Sequence, residues 1–221
     1  MAQSSRSTTS SANLSDDPME KLGDWFQSNS RPIGMIAGGV ALAAAAVFGY
    51  RAISASQAAK ASTALYAAQA PMADGKLDEA ATALGKVSAN YGSTAAGQQA
   101  ALLLAQVQFD QKKYVEGIAG LEKAAGGATS DFKSSMEALI ATGFELQGKM
   151  ADAADHYGKA ASVAKFANDK FSYQASQARS LMSAGKNAEA KKLWEELAKS
   201  ENQSSQEANV RLGELAGSGK S

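Results

Sequence analysis

Leu77-Asp78-Glu79-Ala80-Ala81-Thr82-Ala83-Leu84 carries a pattern that returns three times further along the chain. It returns as Tyr114-Val115-Glu116-Gly117-Ile118-Ala119-Gly120-Leu121, then as Met150-Ala151-Asp152-Ala153-Ala154-Asp155-His156-Tyr157. The last copy is Asn187-Ala188-Glu189-Ala190-Lys191-Lys192-Leu193-Trp194. The fourth residue is always small: Ala80, Gly117, Ala153, Ala190. The eighth is always large: Leu84, Leu121, Tyr157, Trp194. Each copy follows a turn signal, Gly75-Lys76, Lys112-Lys113, Gly148-Lys149 or Gly185-Lys186, and the turns step by 37, 36 and 37 residues. A fixed step of this length marks a repeat array. A small residue at a fixed place lets two antiparallel helices cross closely, and a bulky one a turn later fills the space beside it.

The segments ahead of each turn fit the first helix of such a hairpin. Leu104-Ala105 runs on to Phe109, Ile140-Ala141 to Phe144, and Gln177-Ala178 to Leu181. The first unit is less regular, because Pro71 near the end of its first helix is expected to stop or kink it. After the fourth copy, Ser204–Ala216 contains Ala208, Val210, Leu212 and Leu215. This reads as a capping helix, which an open array of repeats needs at its end. The expectation is an all-α solenoid of about four helical hairpins plus a cap, spanning residues 55–216. Residues 217–221 are read as a flexible tail.

Composition agrees. Hydrophobic residues make up 45% of the chain, aromatics only 7%, and there are three prolines. An alanine-rich, proline-poor chain favours helix, since alanine loses no side-chain entropy there. Basic and acidic residues number 22 each, so there is no basic excess to hold nucleic acid. With no cysteine, the chain has neither disulfides nor thiolate chemistry.

Towards the N-terminus the pattern changes. Residues 1–31 begin with a Ser/Thr/Ala-rich tail and continue as Asp16-Asp17-Pro18-Met19-Glu20-Lys21-Leu22-Gly23-Asp24-Trp25-Phe26. A short amphipathic helix or a linker both fit the latter. Ile33–Tyr50 then runs 18 residues without a charge between Arg31 and Arg51. As a helix it spans about 27 Å, near the thickness of a bilayer core. A transmembrane signal anchor over residues 32–51 is expected. A buried core helix would show a polar face, and a cleaved signal would have an earlier and shorter apolar run. Gly34, Gly38, Ala41 and Ala45 place small residues three or four apart along it, a face on which another membrane helix could pack. Lys21 and Arg31 balance Arg51 and Lys60, so the charge rule gives no orientation.

The small pair and aromatic of the first helix, with the alanine and bulky residue of the second, resemble tetratricopeptide repeats. The first-helix tryptophan and final proline of that consensus are absent, and the step exceeds the usual 34. At the level of the whole chain, Trp25-Phe26-Gln27-Ser28-Asn29, one anchor, and Ala61-Ser62-Thr63-Ala64-Leu65-Tyr66 resemble the YfgM-type family of ancillary SecYEG translocon subunits. Tyr91-Gly92-Ser93-Thr94-Ala95-Ala96 leading into Ala101-Leu102-Leu103-Leu104-Ala105 is similar as well. The resemblance implies a bacterial inner-membrane protein with a cytoplasmic N-terminus and a periplasmic repeat domain. It also implies translocon or periplasmic chaperone partners. An envelope scaffold for cell division or wall synthesis, and a holdase for unfolded clients, stay open as alternatives.

No constellation for catalysis stands out. His156 is the only histidine, and its position is expected to face solvent. Asp78-Glu79, Asp152 and Glu189 sit in first turns, where they favour the positive end of the helix dipole. The chain reads as a non-enzyme without cofactor or metal. The candidate site is a groove along the first helices. Unit one offers Leu65, Gln69 and Met72; unit two offers Gln99, Leu102, Gln106 and Phe109. Unit three offers Ser135, Ala138, Thr142 and Glu145; unit four offers Ser172, Ala175, Arg179 and Met182. Phe109 and Met182 are equally readable as core residues. The mixture suits extended segments held by apolar contact and adaptable hydrogen bonds. Oligomeric state is not legible.

Overall fold

The computed structural model describes residues 30–200 and 204–218, together with Met19, Trp25 and Gln27. Most of the expected tail 1–31, with Leu22 and Phe26 of the suggested amphipathic helix, lies outside the described residues. So do 219–221 of the expected tail 217–221. Among the described residues all regular structure is helical: α1 (Ser30–Ala73), α2 (Leu77–Tyr91), α3 (Ala95–Asp110), α4 (Tyr114–Ala125) and α5 (Ser130–Leu146). There follow α6 (Met150–Val163), α7 (Ala167–Ser183), α8 (Asn187–Ala198) and α9 (Ser204–Ser218). The cap therefore runs two residues past the expected 216. The chain divides into two compact units, Met1–Ser54 and Ala55–Ser221.

In the first unit the described residues are Met19, Trp25, Gln27 and the N-terminal portion of α1. Its large apolar side chains stand open, with Leu42 75%, Phe48 77% and Tyr50 73% exposed. Gly38, Ala41 and Ala45 are exposed too, and a Cβ added at Gly38 would meet nothing within 4 Å. Gly34 lies in the same helix.

In the second unit neighbouring helices pack as successive hairpins, the first pair through Leu65, Ala68, Leu84 and Val87. The turn into each second helix has one geometry throughout. Gly75, Lys112, Gly148 and Gly185 take φ of 73°, 62°, 74° and 77°. The next residue, Lys76, Lys113, Lys149 or Lys186, donates its N–H to the carbonyl of Pro71, Gln108, Phe144 or Leu181, at 2.8–2.9 Å. A left-handed residue followed by this six-to-one bond closes the carbonyls at the helix end. Pro71 lies in the last turn of α1, which ends two residues later at Ala73. Glycine enters the left-handed region freely, whereas Lys112 carries a Cβ into it at a steric cost.

This shared turn sets the register of the repeats. Ala80, Ala153 and Ala190 are wholly buried, and Gly117 is buried as well. Leu84, Leu121 and Trp194 are wholly buried, and Tyr157 is 8% exposed. Counted back from the turn lysine, Met72, Phe109, Glu145 and Met182 share one place. Phe144 aligns with Gln108 and not, as the sequence pattern suggested, with Phe109. In the last two hairpins the residue four before the lysine bonds the one eight after it. Trp194 Nε1 donates to Met182 Sδ at 3.2 Å, and Tyr157 donates to Glu145.

At the start of α3, Thr94 Oγ1 accepts from Gly97 N–H at 3.1 Å. This cap is worth about 1 kcal/mol. A Cβ on Gly97 would lie 1.9 Å from the Tyr91 carbonyl oxygen, so the α2–α3 corner closes only around a bare backbone.

Two substitutions test this reading by thermal unfolding. Gly97→Ala should destabilise by roughly 1–3 kcal/mol, because backbone must shift to admit the methyl. Lys112→Gly should stabilise by up to about 1 kcal/mol, because relief of the left-handed strain exceeds the added chain entropy.

Candidate functional site

The expected groove residues fall into three groups. Gln99 and Gln106 are exposed, and Gln69 and Leu102 are half-buried. Phe109, by contrast, is a core residue. It is 7% exposed and packs with Ala105, Ile118, Leu121 and Ile140. A Cβ on Gly117 would meet its ring at 2.5 Å, and one on Gly143 at 2.6 Å. The ring fits inside because the two glycines make room for it. Leu65 is buried and Met72 packs beside the same cluster, so unit one offers less surface than its spacing suggested.

Thr142 and Glu145 form the second group, held by other side chains. Tyr157 Oη donates to Glu145 Oε2 at 3.1 Å, and Ser180 Oγ donates to Glu145 Oε1 at 2.7 Å. Thr142 Oγ1 lies 3.3 Å from Tyr157 Oη. One carboxylate thus ties α5, α6 and α7 together. Ser180 is 1% exposed, so its hydroxyl is cut off from water and needs that acceptor. Burial holds the Tyr157 phenol above its ordinary value, against the opposing pull of the Thr142 hydrogen bond; the Glu145 charge adds to the rise. The sequence signal for this network is an acid in a column otherwise occupied by Met72, Phe109 and Met182.

The third group lies at the C-terminal end. Ser172, Ala175 and Arg179 line a cavity of about 410 Å³ between α7 and α9, with Phe171 and Glu207. Arg179 Nη1 donates to both carboxylate oxygens of Glu207 at 2.9 and 2.8 Å, and Nη2 donates to Ser176. The charge therefore holds the cap on the last repeat. Met182 is occupied as the acceptor for Trp194.

His156 does not face solvent as its position suggested. Its side chain is 13% exposed, Nδ1 lies 2.8 Å from Glu137 Oε2, and the ring stacks on Phe144 with centroids 5.2 Å apart. Glu137 and Phe144 both stand on α5, so the imidazole of α6 covers that helix. At the equivalent places one unit earlier stand Gly120, Ala101 and Gln108. There an open cavity of about 490 Å³ lies between α2 and α4, with α3 as its floor. Sequence reading missed this second groove; its signal is Gly120, a glycine in mid-helix where the other units carry Ala83, His156 and Leu193.

The second unit is thus a row of helical hairpins with cavities between them. Residues 23–217 match the tetratricopeptide repeat-like domain family. The chain belongs to that family. Two solved structures of a putative kinesin light chain with nearly identical tetratricopeptide-like repeats, from Podosopora anserina, are similar in fold. Each superposes with a TM-score of 0.50 and covers 62% of this chain and 72% of that one; identity is 18% for the first, a single-substitution form, and 17% for the second. Curated proteins give no significant match. The tetratricopeptide-like repeats make the second unit a protein-interaction module.

Two variants test the network. Glu145→Ala leaves the Ser180 hydroxyl buried without an acceptor and should cost about 1–3 kcal/mol in denaturant unfolding. Tyr157 has its folded value raised above the unfolded value of 10.0. Its contribution is therefore complete below the unfolded value and is lost as pH rises from there through the folded one. Comparing wild type with Tyr157→Phe from pH 8 to 11 should show a steeper alkaline loss of stability in wild type.

Proposed function

We propose that this tetratricopeptide-repeat chain is a single-pass protein of the bacterial inner membrane. Its N-terminus faces the cytoplasm and its repeat domain faces the periplasm. The repeats act as an accessory element of the SecYEG translocon, linking it to periplasmic chaperones or to emerging chains. The observation that carries the anchoring part is the long apolar helix from Gly38 on, whose most apolar window has no residue buried by the rest of the protein. Burying a large apolar side chain is worth roughly 1.5–3 kcal/mol. Leu42, Val47, Phe48 and Tyr50 standing in water would forgo that gain, and a bilayer supplies it. Orientation and partners follow from the family resemblance of Trp25-Phe26 and of the first repeat.

Within the anchor, Gly38, Ala41 and Ala45 offer a face of small side chains. Together with Gly34 they allow a membrane helix of the partner to approach closely. Gly38→Leu should insert normally yet weaken co-purification with membrane partners. Equal recovery would remove the helix-packing idea.

The experiment for the whole reading is photo-cross-linking in intact cells. The exposed Gln99 and Gln106 are suitable positions; the buried Phe109 is not. Capture of SecYEG or periplasmic chaperone subunits is the expected outcome. Capture of division or wall-synthesis proteins would replace it with the scaffold reading. Digestion of the repeat domain by protease added to spheroplasts reports the orientation, and full protection would overturn it.

A further inference from the structure

The groove between α2 and α4 is open because of particular residues and not because repeats of this kind leave gaps. Seven residues after the turn lysine stand Gly120, His156 and Leu193 in units two, three and four. Twelve before it stand Ala101, Glu137 and Gln174. In unit three the imidazole of His156 lies on Phe144 and is pinned by Glu137, so the chain plugs its own groove with a planar ring. In unit four Leu193 packs into the core around Trp194. In unit two the corresponding side chains are a hydrogen, a methyl and an amide. A Cβ added at Gly120 would meet nothing within 4 Å. A glycine inside a helix costs about 1 kcal/mol relative to alanine, and here no internal contact requires it.

The groove also carries an unused donor. Gln98 is 3% exposed and lines the cavity. Its Oε1 lies 3.2 Å from both Thr129 N and Thr129 Oγ1. A backbone N–H only donates, so the amide oxygen is fixed towards Thr129 and the Nε2 group is turned away from it. Nε2 makes no hydrogen bond to the described chain. It is not sealed off either, since Arg211 Nε is the buried side-chain polar atom without a partner among the described residues. The exposed residue Lys123 also lines the groove, and its side chain forms no ion pair with the described chain. No acidic residue lines it. Ala89, Ala101, Leu104, Ala105 and Ala124 supply apolar wall, Ser88, Ser93 and Gln108 neutral polar groups, and Lys123 is the one charged side chain among the lining.

We propose that this groove binds a segment of a partner protein that carries an aromatic residue next to an acidic one. The ring enters between α2 and α4, where His156 sits one unit further on. The carboxylate meets Lys123, and a backbone carbonyl of the segment accepts from Gln98 Nε2. This rests on the reading of the repeats as a protein-interaction module and on no particular partner. The surface is distinct from the Gln99 and Gln106 positions used for cross-linking.

The test uses the full-length protein in nanodiscs and a short fluorescein-labelled peptide with a central tryptophan–aspartate pair, followed by anisotropy. Two control peptides replace the tryptophan by alanine or the aspartate by asparagine. Wild type should bind the tryptophan–aspartate peptide about tenfold more tightly than either control, a difference of about 1.4 kcal/mol. Lys123→Gln should weaken the aspartate peptide to the level of the asparagine one and leave the latter unchanged. Gly120→His, which rebuilds the plug of the next unit, should abolish binding while circular dichroism and melting show an intact fold. Gly120→Ala, with only a methyl added in open space, should fold and bind. Equal affinity for the three peptides, or undiminished binding by folded Gly120→His, would overturn the proposal. Loss of peptide binding with translocon cross-links retained would sink this groove alone; the reverse would sink the translocon assignment alone.

Discussion

The close crossing of the two helices in each hairpin is the constraint on which the repeat domain depends. It requires a side chain of one carbon or none at Ala80, Gly117, Ala153 and Ala190, all of them buried. A larger group there would push the helices apart and open the contact one turn on, where Leu84, Leu121, Tyr157 and Trp194 fill the interior. The lysine turns act with this constraint. Because each closes with the same left-handed residue and the same six-to-one bond, the second helix always begins at the same angle to the first. Small residue and bulky residue then arrive at equivalent places in every unit.

Uniform backbone geometry leaves each unit free to use different chemistry at a given place. The column that is Met72, Phe109 and Met182 elsewhere holds Glu145 in unit three, and the column of Leu84, Leu121 and Trp194 holds Tyr157. The two changes belong together. A lone carboxylate in that interior would be costly, but the phenol of Tyr157 and the hydroxyl of Ser180 satisfy both of its oxygens. Beside it, His156, Glu137 and Phe144 close the next inter-helix space. Unit three is thus the polar, sealed unit, and unit two is the apolar, open one. At the far end Glu207 receives Arg179, which holds the cap over the last hairpin.

The repeat period, the hairpin turns and the cap were legible because they rest on local rules: spacing, small residues and helix-stop signals. The groove along the first helices was only partly legible. Helical spacing puts Gln99 and Gln106 on one stripe, and both are exposed, but it treats Phe109 as their neighbour there. The ring is drawn inside because Gly117 and Gly143, one on the partner helix and one on the next repeat, leave a recess for it. His156 was misplaced for a related reason. A polar residue in a polar-looking helix reads as solvated until its acceptor, Glu137, is found nineteen residues away on another helix.

By itself, the sequence determined the all-helical class, the four hairpins with the register of their second helices, and a long uncharged stretch ahead of them. Those properties follow from the period of small and bulky side chains and from backbone propensity, which act over a few residues. The tertiary structure decided which spaces between helices are filled. Whether a gap is plugged depends on side chains that come from two or three helices at once, as His156, Glu137 and Phe144 do in one place and Gly120, Ala101 and Gln108 fail to do in another. Spacing along one helix carries no information about that sum.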